Sequence, residues 1–458
     1  MKVIICGAGL VGSGIARQLA GESNAVTVID QSPELVRSLS EELDIQGVVG
    51  HGAHPDILDQ AGAHDAELLI AVTHSDEVNM VACHVAHSLF SVPTKIARIR
   101  AQSYLDPAWR DLFTHERMPI DVTISPELEV ARSVLRRIGA PGAFEVIDFA
   151  DSQVQVVGIR ILPDCPVVDR PLRQLTELFP DLQAVVVAIV RDNHLFVPDA
   201  NDHMQVNDDA YFVAATPNVP RTLDIFGHQA SDIRHVVVVG AGHIGLHVAQ
   251  QLEQRARGVK VRVIESNKAR AEAAADALTR TVVLHGDGLD NQVMAEAGVG
   301  HAEALIALTN DDEANILSCV LAKQAGTRRV LSLINKRVYA PLTRTLAIDA
   351  FIDPRAITVS SIMQHVRRGR IKGLHSIEEG AAEVFDAEAL ATSPLVGKTL
   401  RDAPIPEGII IGAILRQNAP IYPRGDTEIE AGDRVIMLAR RDVVKKAEQL
   451  FRVSLDYF

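Results

Sequence analysis

The chain begins Met1-Lys2-Val3-Ile4-Ile5-Cys6-Gly7-Ala8-Gly9-Leu10-Val11-Gly12, and this stretch decides the fold. The apolar run predicts a buried strand, and the Gly-x-Gly-x-x-Gly motif after it is typical of a tight turn that opens a helix. Gly7 permits the turn, Gly9 lets backbone N–H groups approach a pyrophosphate, and Gly12 lets the helix pack closely on the strand. Asp30 ends the next predicted strand, 18 residues beyond Gly12. A carboxylate at that position accepts hydrogen bonds from ribose hydroxyls.

The same pattern occurs a second time, 233 residues later. Val236-Val237-Val238-Val239 is followed by Gly240-Ala241-Gly242-His243-Ile244-Gly245, and Glu265 stands 20 residues beyond Gly245. A longer segment also repeats, because Thr73 to Met80 corresponds to Thr309 to Ile316 at an interval of 236 residues. The chain therefore consists of two similar halves.

Each half has two parts. The earlier part alternates predicted strands and helices, which favours an α/β fold with a doubly wound, Rossmann-like parallel sheet. The later part contains short β-rich runs separated by turn residues, which indicates a small α+β module. Proline-initiated segments with helical periodicity, Pro126 to Ile138 and Pro354 to Val366, predict connecting helices. We therefore predict four consecutive domains, at residues 1–122, 123–232, 233–352 and 353–458.

Composition excludes several classes of protein. The 458 residues carry a formal net charge of −14, which disfavours nucleic-acid binding and a polybasic membrane anchor. The N-terminus has no charged-then-apolar signal region, so a cytoplasmic location is expected. The four cysteines lie far apart, without a Cys-x-x-Cys pair, and read as reduced core residues.

The two strand-ending acids also predict the nucleotide. A carboxylate favours a free ribose 2′-hydroxyl and repels a 2′-phosphate, and no arginine directly follows either acid, since the next residues are Gln31 and Ser266. NAD or NADH is therefore predicted ahead of the NADP pair. ATP and ADP fit the same chemistry, because Asp30 would contact only the adenosine ribose.

This organisation closely resembles the TrkA family, the cytoplasmic nucleotide-binding regulatory subunits of bacterial Trk potassium uptake systems, which are built from tandem RCK (KTN) domains. The resemblance rests on the duplicated glycine turn, the strand-ending acid, the Thr-x-x-Asp-Glu-x-Asn segment and the small module that follows. It implies a regulator without enzymatic activity, with no catalytic residues. It also implies a homo-oligomer, peripheral on the inner face of the cell membrane, with a membrane potassium-translocating subunit as its partner.

The glycine turns and the resemblance together predict the nucleotide contacts in each half. In the first half they are Gly7, Ala8, Gly9, Leu10, Val11, Gly12, Asp30, Thr73 and Arg98. In the second half they are Gly240, Ala241, Gly242, His243, Ile244, Gly245, Glu265, Asp287 and Thr309.

Two departures distinguish the halves. The family's Gly-Asp-Ala-Thr segment reads Gly50-His51-Gly52-Ala53 in the first half, so a carboxylate expected near the adenine is absent there, whereas the second half keeps it as Asp287. Conversely, the fifth strand of the first half offers two arginines for phosphate where the second half offers none. These are Arg98 and Arg100, which correspond to Ser332 and Ile334.

Three alternatives stand beside this interpretation. An NAD-dependent oxidoreductase would need a general acid or base in its substrate domain, and the candidates in the first small module have no like counterparts in the second. An RCK-type regulator of a cation/proton antiporter would share the same sequence features. The two His-x-x-His pairs, His51 with His54 and His84 with His87, are candidate zinc ligands, but we predict no metal site.

Overall fold

The computed structural model describes residues 1–22, 24–179, 182–228, 233–255, 258–366 and 371–451. The chain divides into two compact units. The first comprises Met1–Ala131 and Asp353–Arg367, and the second comprises Arg132–Ile352 and Arg368–Phe458.

The N-terminal part forms a six-stranded parallel sheet in the order β3-β2-β1-β4-β5-β6. Its strands are β1 (Lys2–Cys6), β2 (Ala25–Asp30), β3 (Gln46–Val49), β4 (Leu68–Ala71), β5 (Thr94–Arg98) and β6 (Val122–Ile124). Its helices are α1 (Leu10–Gly21), α2 (Pro33–Glu42), α3 (Pro55–Gln60) and α4 (Asp76–Phe90), and the connecting helix α5 (Pro126–Gly139) follows. The strand order reverses between β1 and β4, which is the switch point at which such sheets bind ligands.

The first small module is a five-stranded antiparallel sheet in the order β10-β9-β11-β8-β7. Its strands are β7 (Ala143–Phe149), β8 (Val154–Arg160), β9 (Ala184–Arg191), β10 (His194–Phe196) and β11 (Asp209–Ala215). Two short helices accompany the sheet, α6 (Leu172–Leu178) and α7 (Val219–Ile225).

The second half repeats the parallel sheet in the order β14-β13-β12-β15-β16-β17. Its strands are β12 (His235–Val239), β13 (Lys260–Glu265), β14 (Val282–His285), β15 (Ala304–Ala307), β16 (Arg329–Leu333) and β17 (Ala350–Ile352). Its helices are α8 (His243–Arg255), α9 (Lys268–Ala277), α10 (Asn291–Glu296), α11 (Asp312–Ala325) and α12 (Ala340–Thr345), followed by the connecting helix α13 (Pro354–Val366). Both connecting helices predicted from the sequence are thereby confirmed.

The second small module repeats the first, with the strand order β18-β19-β22-β20-β21. Its elements are β18 (Ile371–Ile377), β19 (Ala382–Glu388), β20 (Ile409–Arg416), β21 (Ala419–Ile421), β22 (Arg434–Arg440) and α14 (Val444–Gln449). Strand for strand, the two modules have the same connectivity, as expected of an internal duplication.

The connecting helix α13 packs on the first parallel sheet domain, although it follows the second in the chain. Its apolar residues Ile362, Met363 and Val366 join the core that contains Ile15 and Leu19 of α1. A Cβ atom on Gly14 of α1 would lie 2.9 Å from Val359 Cγ2, so the two helices approach closely where α1 lacks a side chain. The first compact unit is therefore built from two distant segments of the chain.

The C-terminal end of α5 is held within the second unit by Arg329 of β16. Its guanidinium donates to the backbone carbonyls of Arg137, Ile138 and Ala140, at 2.7, 2.9 and 3.1 Å. These are carbonyls at a helix end, which have no partner within the helix. Arg329 thus satisfies them and holds the C-terminal end of α5 against β16.

Candidate nucleotide sites

Each glycine turn has a backbone geometry that requires glycine. Gly7 has a φ of +111° and Gly240 a φ of +101°, in the region that side-chain-bearing residues rarely adopt. A Cβ atom on Gly12 would lie 1.8 Å from the Gly7 carbonyl oxygen, and one on Gly245 would lie 2.0 Å from that of Gly240. The turn and the first helical turn are therefore in contact through backbone alone.

The middle glycine of each turn faces open space. A Cβ atom added to Gly9 or to Gly242 would meet no heavy atom within 4 Å among the described residues. Gly9 is the N-cap of α1 and supplies no side chain to the N–H groups of the first helical turn. This leaves backbone donors and the positive end of the helix dipole facing the space in which a phosphate would bind.

Asp30 ties the first turn to the end of β2. Its Oδ2 accepts from the backbone N–H of Ala8 at 2.7 Å, and its Oδ1 accepts from that of Ser32 at 2.9 Å. Each carboxylate oxygen has more than one acceptor position, so these bonds leave capacity for ribose hydroxyls. Asp30 therefore both holds the turn and presents an acid beside it.

Glu265 holds the second turn in the same way but has an additional partner. Its Oε2 accepts from Ala241 N at 2.7 Å, and its Oε1 accepts from Asn267 N at 2.8 Å. Arg270 of α9 also donates to Oε1, through Nε at 3.1 Å and Nη2 at 2.8 Å. Burial raises the pKa of Glu265, but the hydrogen bonds from Arg270 and from the two backbone N–H groups outweigh burial and hold that pKa below its ordinary value.

The Arg270 contact adds a cation to the second site that the sequence analysis did not consider. No arginine directly follows Glu265, but Arg270, five residues further on, forms an ion pair with it. An arginine one helical turn into α9 reaches the acid, because the chain folds back from β13 into this helix. Glu265 therefore has a cationic neighbour, although no arginine directly follows it in the sequence.

Thr73, predicted as a nucleotide contact, lies just beyond the end of β4 and is fixed by Asn79 of α4. The Thr73 N–H and hydroxyl both donate to Asn79 Oδ1, at 2.8 and 2.7 Å. The Asn79 amide in turn donates to the carbonyls of Thr73 and Arg98, at 3.2 and 2.9 Å. One buried side chain thus links the carboxyl ends of β4 and β5.

The second half contains the same network. Thr309 donates to Asn315 Oδ1 from its N–H at 2.9 Å and from its hydroxyl at 2.7 Å. The Asn315 amide donates to the carbonyls of Thr309 and Leu333, each at 3.0 Å. Both asparagines are fully buried, and the recurrence of Asn at the same interval in the sequence was the available signal of their role.

Arg98 lies at the carboxyl end of β5, beside Thr73. Its Nη2 donates to the Thr73 carbonyl at 2.6 Å, whereas its buried Nε has no hydrogen-bond partner among the described residues. Burial, and then the charge of Arg100, lower the pKa of Arg98. Arg98 therefore carries a desolvated donor at the carboxyl edge of the sheet, where a phosphate oxygen would satisfy it.

Arg100 is already engaged elsewhere. Its Nε donates to Glu127 Oε1 at 2.8 Å, and its backbone N–H is held by the Asp76 carboxylate. The sequence interpretation offered both arginines to a phosphate, but the structure commits Arg100 to Glu127. Asp76 and its counterpart Asp312, which accepts from Asn335 N at 2.9 Å, each hold the backbone that follows the fifth strand of their half.

His51 occupies the position at which the second half has Asp287. Its Nδ1 accepts from the backbone N–H of Ala53 at 3.3 Å, and Asp287 Oδ1 accepts from that of Leu289 at 2.9 Å. Both side chains therefore receive the N–H two residues later in the same turn. His51 therefore makes the same local hydrogen bond as Asp287 but does not supply a negative charge. Its ring stacks on that of His54, with the ring centroids 4.5 Å apart.

The histidine pairs and the cysteines are the remaining candidates for chemistry. Among the described residues, no cluster of three or more His, Cys, Asp or Glu side chains could hold a metal ion. All four cysteines are free and buried, and burial raises the pKa of the Cys6 thiol to about 12. Cys83 on α4 and Cys319 on α11 are both fully buried, 236 residues apart, in agreement with the expectation that the cysteines are core residues.

Two protein-family models each match this chain twice, once in each half. The TrkA-N domain model matches residues 3–126 and 236–354, and the TrkA-C domain model matches residues 156–227 and 385–452. The Trk system potassium uptake protein TrkA of Azorhizobium caulinodans is 53% identical over 458 residues, covering 100% of both chains. That of Halomonas elongata is 40% identical over 464 residues, again covering 100% of both chains.

The chain belongs to the TrkA family. The family resemblance predicted from the sequence is therefore confirmed, as is the predicted fold class of tandem Rossmann-like domains followed by small α+β modules. A more distant relative, the TrkA homolog of Archaeoglobus fulgidus, is 32% identical over 452 residues and covers 99% of this chain and 100% of its own.

Solved structures show the same fold at low sequence identity. The crystal structure titled as the GsuK RCK domain superimposes with a TM-score of 0.59 at 16% identity, covering 98% of this chain and 94% of that one. The structure titled as the GsuK channel bound to NAD has a TM-score of 0.60 at 16% identity, covering 98% and 78%. None of the helices in the described part of this chain has the length and apolar character needed to cross a bilayer.

Proposed function

We propose that the chain is the nucleotide-binding regulatory subunit of a potassium uptake system. In this proposal it gates or activates a membrane potassium-translocating subunit in response to NAD(H), with ATP and ADP as further ligands. Membership of a family whose relatives are named potassium uptake proteins supports the potassium role. A structural neighbour, the GsuK channel, has been solved bound to NAD, which agrees with a dinucleotide ligand. The residues of this chain itself are the main support for the proposal.

The observation that carries the proposal is the duplicated arrangement of turn, acid and threonine. In each half a strand-ending carboxylate holds the glycine turn, and a buried asparagine holds the threonine at the neighbouring strand end. Such preorganisation lowers the entropic cost of binding, because the contacting groups are already fixed. The residues fit a dinucleotide or an adenine nucleotide at both turns.

The roles of individual groups follow from their chemistry. Backbone N–H groups of residues 9–12 and 242–245 would hold phosphates, because those of the two residues before them in each turn are already bonded to an acid or a strand carbonyl. The acids Asp30 and Glu265 would hold the adenosine ribose. Thr73 and Thr309 stand beside the turns, whereas Asp287 would lie near the adenine in the second site and Arg98 would supply a phosphate partner in the first. In this proposal the nucleotide acts as a ligand rather than as a reactant, and no residue is assigned a catalytic role.

Substitution of the middle glycines tests the binding proposal directly. Because a side chain at Gly9 or Gly242 meets no neighbouring atom, Gly9→Asp and Gly242→Asp should fold, and aspartate is a favourable N-cap. The introduced carboxylate would repel a phosphate. Calorimetric titration of NADH, NAD, ATP and ADP into the full chain should show two binding events per chain in the unaltered protein, one in each single variant and none in the double variant.

The regulatory part of the proposal has separate tests. The chain should co-purify as a homo-oligomer with a Trk-type membrane subunit on the inner face of the membrane. Nucleotide should change potassium flux through the reconstituted complex, and the double glycine variant should remove that response. Steady oxidation of NADH by the chain with carbonyl substrates would instead favour an oxidoreductase, and a strict monomer that fails to associate would contradict the regulatory role.

A further inference from the structure

The two strand-ending acids have different surroundings. Within the described residues, Asp30 receives two backbone N–H groups, whereas Glu265 receives two backbone N–H groups and a guanidinium. Glu265 is nearly buried, with 3% of its side chain exposed, and Arg270 is 58% exposed. The ion pair therefore places a solvent-facing cation beside the acid of the second site.

The residue that corresponds to Arg270 in the first half is a leucine. Asp30 and Glu265 are each followed, two residues later, by a helix N-cap, Ser32 and Asn267. Ser32 Oγ accepts from the backbone N–H of Leu35 at 3.3 Å, and Asn267 Oδ1 accepts from that of Arg270 at 3.0 Å. Since the same capping bond reaches both residues, Leu35 and Arg270 occupy the same position on α2 and α9.

This difference bears on one feature of the ligand, the 2′ position of the adenosine ribose. A carboxylate alone favours a 2′-hydroxyl and repels a 2′-phosphate, whereas a nearby arginine accommodates the phosphate. Arg270 uses two of its five N–H groups on Glu265, and the guanidinium fork is suited to phosphate oxygens. Leu35, 45% exposed, offers no charge at the matching position.

We infer that Arg270 determines ligand specificity and lets the second site accept a nucleotide with a 2′-phosphate on its adenosine ribose, the class that includes NADP and NADPH. The first site, with Asp30 and Leu35, accepts only a free 2′-hydroxyl. The inference rests on the proposed function, because it takes both glycine turns as nucleotide sites. The two sites of one chain would therefore accept different sets of nucleotides.

Two small probes that differ only at the 2′ position provide the test. Adenosine 5′-monophosphate and adenosine 2′,5′-bisphosphate should be titrated separately into the full chain by calorimetry. We expect the monophosphate to bind at two sites per chain and the bisphosphate at one. The variant Arg270→Leu, which copies the first half, should weaken bisphosphate binding by about tenfold or more beyond any change in monophosphate affinity at the same site.

The reciprocal variant Leu35→Arg should add a second bisphosphate event. A loss of bisphosphate affinity in Arg270→Leu that exceeds the loss of monophosphate affinity supports the inference, because the monophosphate measures any general damage to the site. Bisphosphate binding that Arg270→Leu leaves unchanged would overturn it. Monophosphate binding without any bisphosphate binding in the unaltered chain would also overturn it. Failure of the monophosphate to bind at either site would instead contradict the proposed function.

Discussion

At the scale of single residues, the buried amides Asn79 and Asn315 organise the two sites. Each makes four hydrogen bonds that join a threonine to the end of the neighbouring strand. Backbone groups at sheet ends have no strand partner and must be satisfied otherwise. One asparagine therefore satisfies several such groups and fixes the threonine that we propose as a nucleotide contact.

Replacement of Asn79 by alanine should destabilise the first parallel sheet domain by about 2–4 kcal/mol, because it leaves buried backbone groups without partners. Urea unfolding monitored by circular dichroism would measure the loss. The exposed His84 lies on the same helix, and His84→Ala provides a control that should stay within about 0.5 kcal/mol of the unaltered chain. Equal stability of the two variants would contradict the role assigned to Asn79.

Arg98 is predicted to favour nucleotides with longer phosphate chains at the first site. Arg98→Ala should weaken ATP binding there by about ten- to a hundredfold, because a charged hydrogen bond contributes about 1.5–3 kcal/mol. Ser332, the counterpart in the second half, provides the control, and Ser332→Ala should leave both binding events unchanged. An equal loss of AMP and ATP affinity in Arg98→Ala would show that Arg98 only positions Thr73 through its carbonyl.

At the scale of elements, the first strand of each half, the glycine turn after it and the following helix pack together. The helix approaches the turn so closely that no side chain fits between them. The backbone of α1 meets the Gly7 carbonyl at Gly12, and α13 meets α1 near Gly14. The strand-ending acid then holds the turn from the neighbouring strand. The geometry of the site is therefore inseparable from the packing of α1.

Gly12→Ala should strongly destabilise the first domain, by about 3 kcal/mol or more, because its Cβ would lie 1.8 Å from a carbonyl oxygen. Gly21→Ala in the same helix provides the matched control, since its Cβ meets no atom within 4 Å in the described structure. That variant should be neutral or more stable by up to about 1 kcal/mol. Thermal unfolding of the two variants would compare them, and tolerance of Gly12→Ala would refute the close contact.

At the scale of the whole molecule, the two small modules pack on each other within the second unit. Side chains of both sheets, including Val156, Val213, Ile436 and Leu438, share one core. A Cβ atom on Gly412 would lie 2.4 Å from Val213 Cγ2, so the approach requires glycine. At the edge of this interface, Arg434 pairs with Asp151 at 2.8 Å and also with the buried Asp386.

Stability of this second unit should fall in mildly acidic solution because of His228. Burial lowers the pKa of His228, and a bond of 2.9 Å between its Nε2 and the Arg160 carbonyl only partly opposes that effect. A histidine whose pKa is lower in the folded state contributes stability that is full above its unfolded pKa of about 6.5 and is lost as the pH falls toward the folded pKa. The unfolding temperature should therefore decrease between pH 7.5 and pH 5.5.

The variant His228→Gln keeps an N–H donor and removes the titrating ring. It should show a smaller decrease over the same pH interval, although not an absent one, because burial also lowers the pKa of His247. Thermal unfolding monitored by circular dichroism at the two pH values would measure both decreases. An unchanged pH dependence in the variant would exclude His228 as a source of the effect.

Much of the architecture follows from local patterns in the sequence. The turn glycines, the acids and the repeated Thr and Asn positions lie at spacings that a strand, a turn and a helix impose on any chain, so they were readable without coordinates. The four domain boundaries and the individual nucleotide contacts stay predictions. The contacts require a bound ligand to be seen, and the boundaries require knowledge of which segments fold together. Local spacing in the sequence specifies neither.

Other features arise only when distant segments meet. Arg270 reaches Glu265 because the capped start of α9 returns to the end of β13, whereas the residue directly after the acid, Ser266, gives no sign of a cation. The engagement of Arg100 with Glu127 and the packing of α13 on α1 likewise join segments far apart in the chain. Sequence periodicity assigns a side chain to a face of its own element, but the partner on that face is chosen by the tertiary packing of the whole unit.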